Sequence, residues 1–175
     1  SVQKELAKER RALKSFVEGD PLLSRFFSVF LFEDLPASDS RADAAYLAEG
    51  DRCAVYVGLF GNEYGVEDTD GISPTEREFD RATSAGKHRL IFVKGSDDHV
   101  RRPKMRALVR KAGKQLIRRR FNNIPDLTAA LNASLVDYLE ASGVIQAKPF
   151  EERPCPEATI ADVDARGGIR APRAA

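Results

Sequence analysis

The residue best suited to chemistry is Glu78, which lies in a charged segment that follows a glycine-rich loop. Ser73 fits the N-cap of a helix, Pro74 fits its first position, and Glu76 completes a capping box with Ser73. We therefore predict a tightly capped helix that runs from Ser73 to about Gly86, in which Glu76 has a structural role.

Glu78 differs from the other acids of this helix in the predicted direction of its side chain. At 100° per residue, it falls within the small and apolar stripe of the helix. That stripe consists of Phe79, Ala82 and Ala85, whereas Glu76, Arg77 and Asp80 are expected to point toward water. An inward carboxylate requires a partner of its own.

Two roles are open for such a carboxylate. In a dry crevice it could bind a ribose hydroxyl, or stabilise an oxocarbenium-like sugar centre while an N-glycosidic bond breaks. This makes Glu78 a candidate catalytic residue. The structural alternative is an ion pair with Arg81 or Arg89.

The loop before the helix supplies the other candidate ligand-binding residues. Glycines would let a ligand approach the backbone closely, a tyrosine could stack on a base or nicotinamide ring, and Ser73 could reach a hydroxyl if the cap leaves it free. The candidate set is Gly58, Gly61, Tyr64, Gly65 and Ser73. The glycine spacing matches neither the dinucleotide fingerprint nor a P-loop.

A second feature is the segment 101–120, which holds ten Lys or Arg and no acid. Its apolar positions predict an amphipathic helix from about Pro103, buried through Met105, Leu108, Val109 and Ala112. The basic patch expected to face solvent is Arg102, Arg106, Arg110, Lys111 and Lys114. Such a patch could contact nucleic-acid phosphates, an acidic protein or neighbouring domain, or water alone. The segment 101–120 lacks aromatic residues for base stacking, so recognition of single-stranded nucleic acid is less supported.

Composition places few limits on function. The chain has 175 residues, 42% of them hydrophobic, and a net charge of +1, which indicates one domain without a global preference for nucleic acid. Two cysteines and two histidines form no disulfide framework and no metal-ligand pattern, so a metal site is not expected. No apolar run is long enough for a membrane span, and we expect a cytoplasmic protein.

The pattern of apolar runs predicts alternating strands and helices. Strands are expected at Phe26–Phe32, Cys53–Phe60 and Arg89–Val93, with an edge strand at Leu116–Phe121. Further helices are expected over residues 2–17, from Ser38 or Ser40 to Glu49, and over Asp126–Ser142. This order indicates an α/β sandwich with a mainly parallel sheet, whose ligands bind at the carboxyl ends of the strands. Residues 149–175 are expected to be a linker or disordered tail.

Four strings together resemble one uncharacterised domain family. They are Gln3-Lys4-Glu5-Leu6, Tyr56-Val57-Gly58-Leu59-Phe60-Gly61, Gly71-Ile72-Ser73-Pro74-Thr75-Glu76-Arg77-Glu78-Phe79 and Arg89-Leu90-Ile91-Phe92-Val93. Members lie at the N-termini of multidomain bacterial proteins. An AlbA-type (Schlafen-like) DNA-binding domain and a histidine-kinase-type ATPase often follow, in proteins described as helicases or transcriptional regulators. The resemblance covers residues 1–148.

That family is in turn similar to TIR domains and nucleoside 2-deoxyribosyltransferases, which share a flavodoxin-like sheet. Both relatives carry a catalytic glutamate on the helix after the third strand, and Glu78, Ala82 and Gly86-Lys87 match their pattern. The resemblance therefore implies a flavodoxin-like fold, and NAD or a nucleotide as the ligand to consider. It also implies a first strand that would precede Ser1.

Two functions follow from these observations. The favoured one is a non-catalytic sensing or assembly module at the N-terminus of a larger DNA-binding ATPase-type protein. Its partners would be the downstream domains of the same polypeptide, with a second copy of the chain and nucleic acid on the basic helix as further possibilities. The alternative is a nucleotide-binding N-glycosidase that acts on NAD or a deoxynucleoside through Glu78. The absence of a second obvious acid favours the module.

Overall fold

The computed structural model describes residues 5–31 and 52–146. The elements in chain order are α1 (Ala7–Gly19), a short 3-10 helix (Leu23–Arg25), β1 (Val55–Phe60), α2 (Pro74–Ser84), β2 (His88–Lys94), α3 (Pro103–Gln115), β3 (Arg118–Phe121) and α4 (Ile124–Ala141). The predicted helix ending at Glu49 and the predicted tail after residue 148 lie outside the described residues.

The three described strands form one parallel sheet in the order β1-β2-β3. Val55 lies opposite His88, and Ile91 lies opposite Arg118. Parallel neighbours need a crossover connection, and α2 and α3 supply the two crossovers. The predicted flavodoxin-like α/β architecture is confirmed, and among the described strands β3 lies at one edge of the sheet, as expected for Leu116–Phe121.

Apolar side chains cover both faces of the sheet. Ile91 and Val93 of β2 pack on one face against α2 and α3, while Phe92 packs on the other against α1 and α4. Alternate residues of a strand point to opposite faces, so a continuous apolar run such as β2 requires helices on both sides. This explains the three layers.

The helices match their predicted apolar stripes closely. All four predicted apolar residues of α3 are buried, as are Leu127, Leu131, Leu135 and Leu139 of α4. Gly143 follows α4 with a φ of 69°, a conformation that favours glycine after a helix. Within residues 5–31 and 52–146, no helix is long and apolar enough to cross a membrane.

The predicted strand Phe26–Phe32 is wrong over its described part. Residues 26–31 have no regular secondary structure, and the N–H groups of Phe26 and Phe27 both donate to the Leu23 carbonyl, at 3.0 and 2.9 Å. Phe27 and Val29 still pack against the core. The segment is apolar because it lines the core, and such a run cannot be distinguished from a strand by hydrophobicity alone.

Candidate functional site

The carboxyl ends of β1 and β2 are held together by a buried guanidinium. Arg101 has a fully buried side chain. Its Nη1 donates to the Gly61 carbonyl at 2.6 Å, just after β1, and its Nη2 donates to the Lys94 carbonyl at the end of β2. The fixed fork of a guanidinium suits such a bridge. Arg101 therefore occupies the edge where ligands bind in open α/β sheets.

Asp98, in the loop after β2, binds both Arg101 and Arg120, and these three residues are called here the Arg101 clamp. Its carboxylate accepts from Arg101 Nε at 2.9 Å and from Arg120 Nη2 at 2.7 Å. Arg120 also donates to the Gly95 carbonyl at 2.9 Å. The hydrogen bond from Arg120, helped by the one from Arg101, lowers the pKa of Asp98 to about 2. Asp98 thus links Arg120 of β3, which also binds the backbone after β2, to Arg101, which binds the backbone after β1.

Asp98→Asn is expected to lower the melting temperature at pH 7 and to lose this effect in acid. Because the folded-state pKa of about 2 lies below the ordinary value of 3.8, the ionised carboxylate stabilises the fold above that value. This contribution disappears as the pH falls through about 2. Melting curves of both proteins between pH 7 and 2 test this, and a difference independent of pH would contradict it. Asp97→Asn, one residue earlier, is the matched control.

The carboxylate of Glu5 is bound by backbone groups at the end of β1. Its Oε1 accepts from the Asn62 N–H at 2.8 Å, and its Oε2 accepts from the Glu63 N–H at 3.0 Å. A Cβ atom at Gly61 would lie 2.6 Å from Glu5 Cδ, so any larger residue here would require this carboxylate to move aside. Gly61 is therefore in close contact with Glu5.

A second acid near the start of the chain reaches the end of β2. Glu9, on α1, is 8% exposed and accepts from Lys94 Nζ at 2.6 Å. Burial would raise the pKa of Glu9, but the hydrogen bond from Lys94 and the nearby positive charges outweigh burial and lower it. The carboxylate is thus held in its ionised form against the lysine. Two acids of one segment therefore face this edge.

Glu76 lies in a partly buried cluster instead of facing water as predicted. Its Oε2 accepts from the Tyr64 hydroxyl at 2.5 Å, and its Oε1 accepts from Lys111 Nζ at 2.8 Å. Lys111 also pairs with Asp80 at 2.6 Å. The Ser73 cap is confirmed, since its Oγ accepts from the Glu76 N–H at 3.3 Å. The carboxylate of Glu76 differs from the prediction because the loop and α3 offer it stronger partners.

Tyr64→Phe is expected to lower the free energy of unfolding by about 1 kcal/mol, the usual value of one buried hydrogen bond. Burial and the hydrogen bond to Glu76 both raise the pKa of Tyr64, so its hydroxyl should ionise at a higher pH than that of an exposed tyrosine. Tyr138→Phe is the matched control. The contacts of Tyr138 with Phe27 and His88 are made by its ring, and phenylalanine keeps that ring. Urea denaturation of the three proteins tests this. Equal effects of the two substitutions would contradict it.

Glu78 is half-buried on α2 and has a partner within the fold. Phe79 and Ala82 of its predicted stripe are buried, but Ala85 is exposed because α2 ends at Ser84. Ser73 is fully buried at the cap. The structure thus places Glu78 on the helix that the sequence predicted.

The loop residues predicted to bind a ligand are distributed over the core and the turn. Gly58 is buried within β1, where a Cβ would lie 2.6 Å from Ile91 Cδ1. Tyr64 is 5% exposed and belongs to the core, with Lys104 Nζ 5.7 Å from its ring centre. Gly65 has a φ of 99° and permits the turn. Gly61 directly follows β1, and its carbonyl accepts from Arg101.

A cavity of about 410 Å³ lies beside β1, away from the predicted site residues. Its walls are Phe26–Leu31 and the segment Arg52–Val55, and its floor includes Leu13 and Leu131. Neither Glu78 nor any residue of the predicted ligand-binding set lines it. In the described part of the chain, no group of three or more His, Cys, Asp or Glu could hold a metal ion.

Sequence reasoning missed the residues that meet at the carboxyl edge. They are Glu5, Glu9, Lys94, Asp98, Arg101 and Arg120. Arg101 begins the basic segment 101–120, and it is the buried cation of that segment. A usable signal was its position after β2, where the acid pair Asp97-Asp98 offers a carboxylate within one turn.

Comparison with known proteins identifies a family without a known activity. No curated protein and no solved structure matches the chain. The model of a domain of unknown function, DUF4062, matches residues 1–136. This match spans most of the 175 residues and includes the Arg101 clamp. The chain therefore belongs to the DUF4062 family.

Proposed function

We propose that this domain is a non-catalytic sensing or assembly module that acts on the downstream domains of the same polypeptide. One observation carries the proposal: the polar side chains at the carboxyl edge of the sheet bond to each other and to the backbone. Arg101 bridges β1 and β2, Glu5 binds two N–H groups, and Glu9 binds Lys94. A ligand would have to displace these contacts to reach the strand ends.

We further propose that the domain belongs to a larger protein of the DNA-binding ATPase type, which works in the cytoplasm. We also propose that the domain is a relative of TIR domains and nucleoside 2-deoxyribosyltransferases. The three-stranded parallel sheet agrees with this relation at the level of the fold alone. Function has to be argued from the site, since one fold serves many activities.

The N-glycosidase alternative gains no support from the described residues. Glu78 has a partner within the fold and does not line the cavity. The Ser73 hydroxyl is used by the cap, and the Tyr64 hydroxyl is used by Glu76.

Chromatography of NAD and of deoxynucleosides incubated with the protein tests the proposal. Glu78→Gln, checked for an unchanged melting temperature, is the companion variant. We expect no release of nicotinamide or free base above the level seen with Glu78→Gln. Release by the native protein that Glu78→Gln abolishes would overturn the proposed function.

A further inference from the structure

The cavity of about 410 Å³ beside β1 lies over one face of the sheet. Two residues of β1 that line it are two positions apart, so they share a face of the strand. The residues that α1 and α4 contribute are four positions apart in each helix, which places each pair on one helix face. These lining residues are Val57 and Leu59 of β1, Leu13 and Val17 of α1, and Leu131 and Leu135 of α4.

The cavity lies within one of the two core clusters of the domain. The four helix residues that line it are buried members of that cluster, and Leu59 packs against them. Protein interiors contain few voids larger than a water molecule, because atoms around an empty space lose their packing contacts. Apolar walls also give water few hydrogen-bond partners. A cavity of this size and lining therefore favours an apolar occupant.

Three large apolar side chains at this cavity are unusually exposed. Phe26 is 41% exposed, and Phe30 and Val57 are each 36% exposed. All three line the cavity, and the two phenylalanines belong to the irregular segment 26–31. Apolar surface that is concentrated in one place marks a binding groove more often than single exposed residues do. An apolar ligand would remove this surface from water.

The charged residues at the cavity are all cations. Arg10 of α1 and Arg52, shortly before β1, line it, and none of the described lining residues is an acid. Each arginine also has a partner within the fold, but a guanidinium carries five N–H donors and can bind a further group. Its planar fork suits a carboxylate in particular. The cavity thus combines apolar walls with donors for one anionic group.

We propose that this cavity binds an alkyl carboxylate, with its chain between the apolar walls and its head group at Arg10 and Arg52. The volume lies near the lower end of the roughly 300–1,000 Å³ of small-molecule sites. At about 30 Å³ for each water of the liquid, it suits a chain of about ten carbons. A nucleotide fits less well, because its base edges would face phenylalanine, valine and leucine side chains.

This site deepens the proposed sensing function, on which its biological role rests. The ligand contacts α1, α4, β1 and the segment 26–31 at once, so it holds together elements that otherwise meet around a void. A ligand that binds only the folded state stabilises it. Saturation with the carboxylate is therefore expected to raise the melting temperature of the domain by about 5 °C.

The test is a titration of the full chain with hexanoate, octanoate, decanoate and decanol, followed by calorimetry and by the backbone amides of Val57 and Leu131. Ala54→Trp places a large side chain at the cavity wall, and Val57→Trp is a second such variant. Ala107→Trp on α3 is the matched control, since Ala54 and Ala107 are both exposed and only Ala54 lines the cavity. Melting curves show which variants are folded.

We expect one decanoate to bind each chain, with saturable shifts of both amides. Affinity should rise about tenfold for every two methylene groups that the cavity buries. Decanol should bind at least about tenfold more weakly than decanoate, because it lacks the charge-assisted hydrogen bonds. The folded cavity variants should weaken decanoate binding at least tenfold, and Ala107→Trp should not.

Three results would overturn the inference. They are the absence of saturable shifts at millimolar decanoate, equal weakening by the cavity variants and Ala107→Trp, and binding of decanol as tight as that of decanoate. Release of nicotinamide or free base by the native protein would instead overturn the proposed function and leave decanoate binding unaffected. The two failures are therefore distinguishable.

Discussion

Arg101→Ala is expected to lower the free energy of unfolding by about 3–5 kcal/mol, the range found when one partner of a buried charged network is removed. Its guanidinium is fully buried and binds the carbonyls of Gly61 and Lys94 and the carboxylate of Asp98. Removing it leaves these acceptors without their donor, and a buried unsatisfied group costs its full desolvation penalty. Urea denaturation followed by circular dichroism measures the change.

The next residue provides the matched control. Arg102 has a side chain that is 69% exposed and makes one contact of 3.3 Å with Glu63. Arg102→Ala is expected to change stability by less than about 0.5 kcal/mol, as for most exposed ion pairs. If Arg101→Ala costs no more than Arg102→Ala, the clamp does not hold the carboxyl edge together.

Gly61→Ala is expected to lower the free energy of unfolding by about 1–2 kcal/mol, because the flexible Glu5 side chain has to move aside and loses its two hydrogen bonds. The new methyl group would overlap the carboxylate of Glu5, which then has to leave the N–H groups of Asn62 and Glu63. The loss should come from this carboxylate and not from the backbone of Gly61, which has an ordinary negative φ.

A double-mutant cycle isolates that cause. In a Glu5→Ala background, Gly61→Ala should cost less by about 0.5–3 kcal/mol, the usual coupling between residues in contact. Gly19→Ala is the control, because a Cβ there meets nothing within 4 Å. Additive effects of Glu5→Ala and Gly61→Ala would show that the glycine is required for another reason.

Local sequence patterns predicted much of the fold. The start of α2 was predictable because Ser73 and Pro74 act within one turn of the helix that they begin. The leucines of α4 were predictable because their spacing of four residues places them on one face whatever covers it. Such patterns depend on neighbours in the chain alone.

Contacts between distant residues could not be predicted in this way. Glu76 was expected at the surface, but its partners Tyr64 and Lys111 are 12 and 35 residues away. In the sequence, Arg101 cannot be distinguished from the other arginines of the basic segment. Its burial depends on the ends of β1 and β2, which come together only in the folded chain. The apolar run Phe26–Leu31 has the composition of a strand, but its residues form no strand in the structure, and the N–H groups of Phe26 and Phe27 donate to the Leu23 carbonyl.

The candidate site shows the same division. The sequence correctly predicted the sheet whose carboxyl edge would matter, and it placed Gly61 at that edge. It did not predict that Glu9 of α1 and Glu5, just before α1, would reach the edge, because both are separated by more than 50 residues from the backbone or lysine that they bind. The identity of the groups at this edge therefore came from the structure.

The central claim is that the fold's own side chains occupy the carboxyl edge of the sheet. The most direct test is a nuclear magnetic resonance titration with NAD and then with a deoxynucleoside, following the backbone amides of Asn62, Glu63 and Gly95. We expect these three amides to show no saturable shift at millimolar ligand. Saturable shifts at Asn62, Glu63 and Gly95 would contradict the claim, because they would show that a ligand enters this edge.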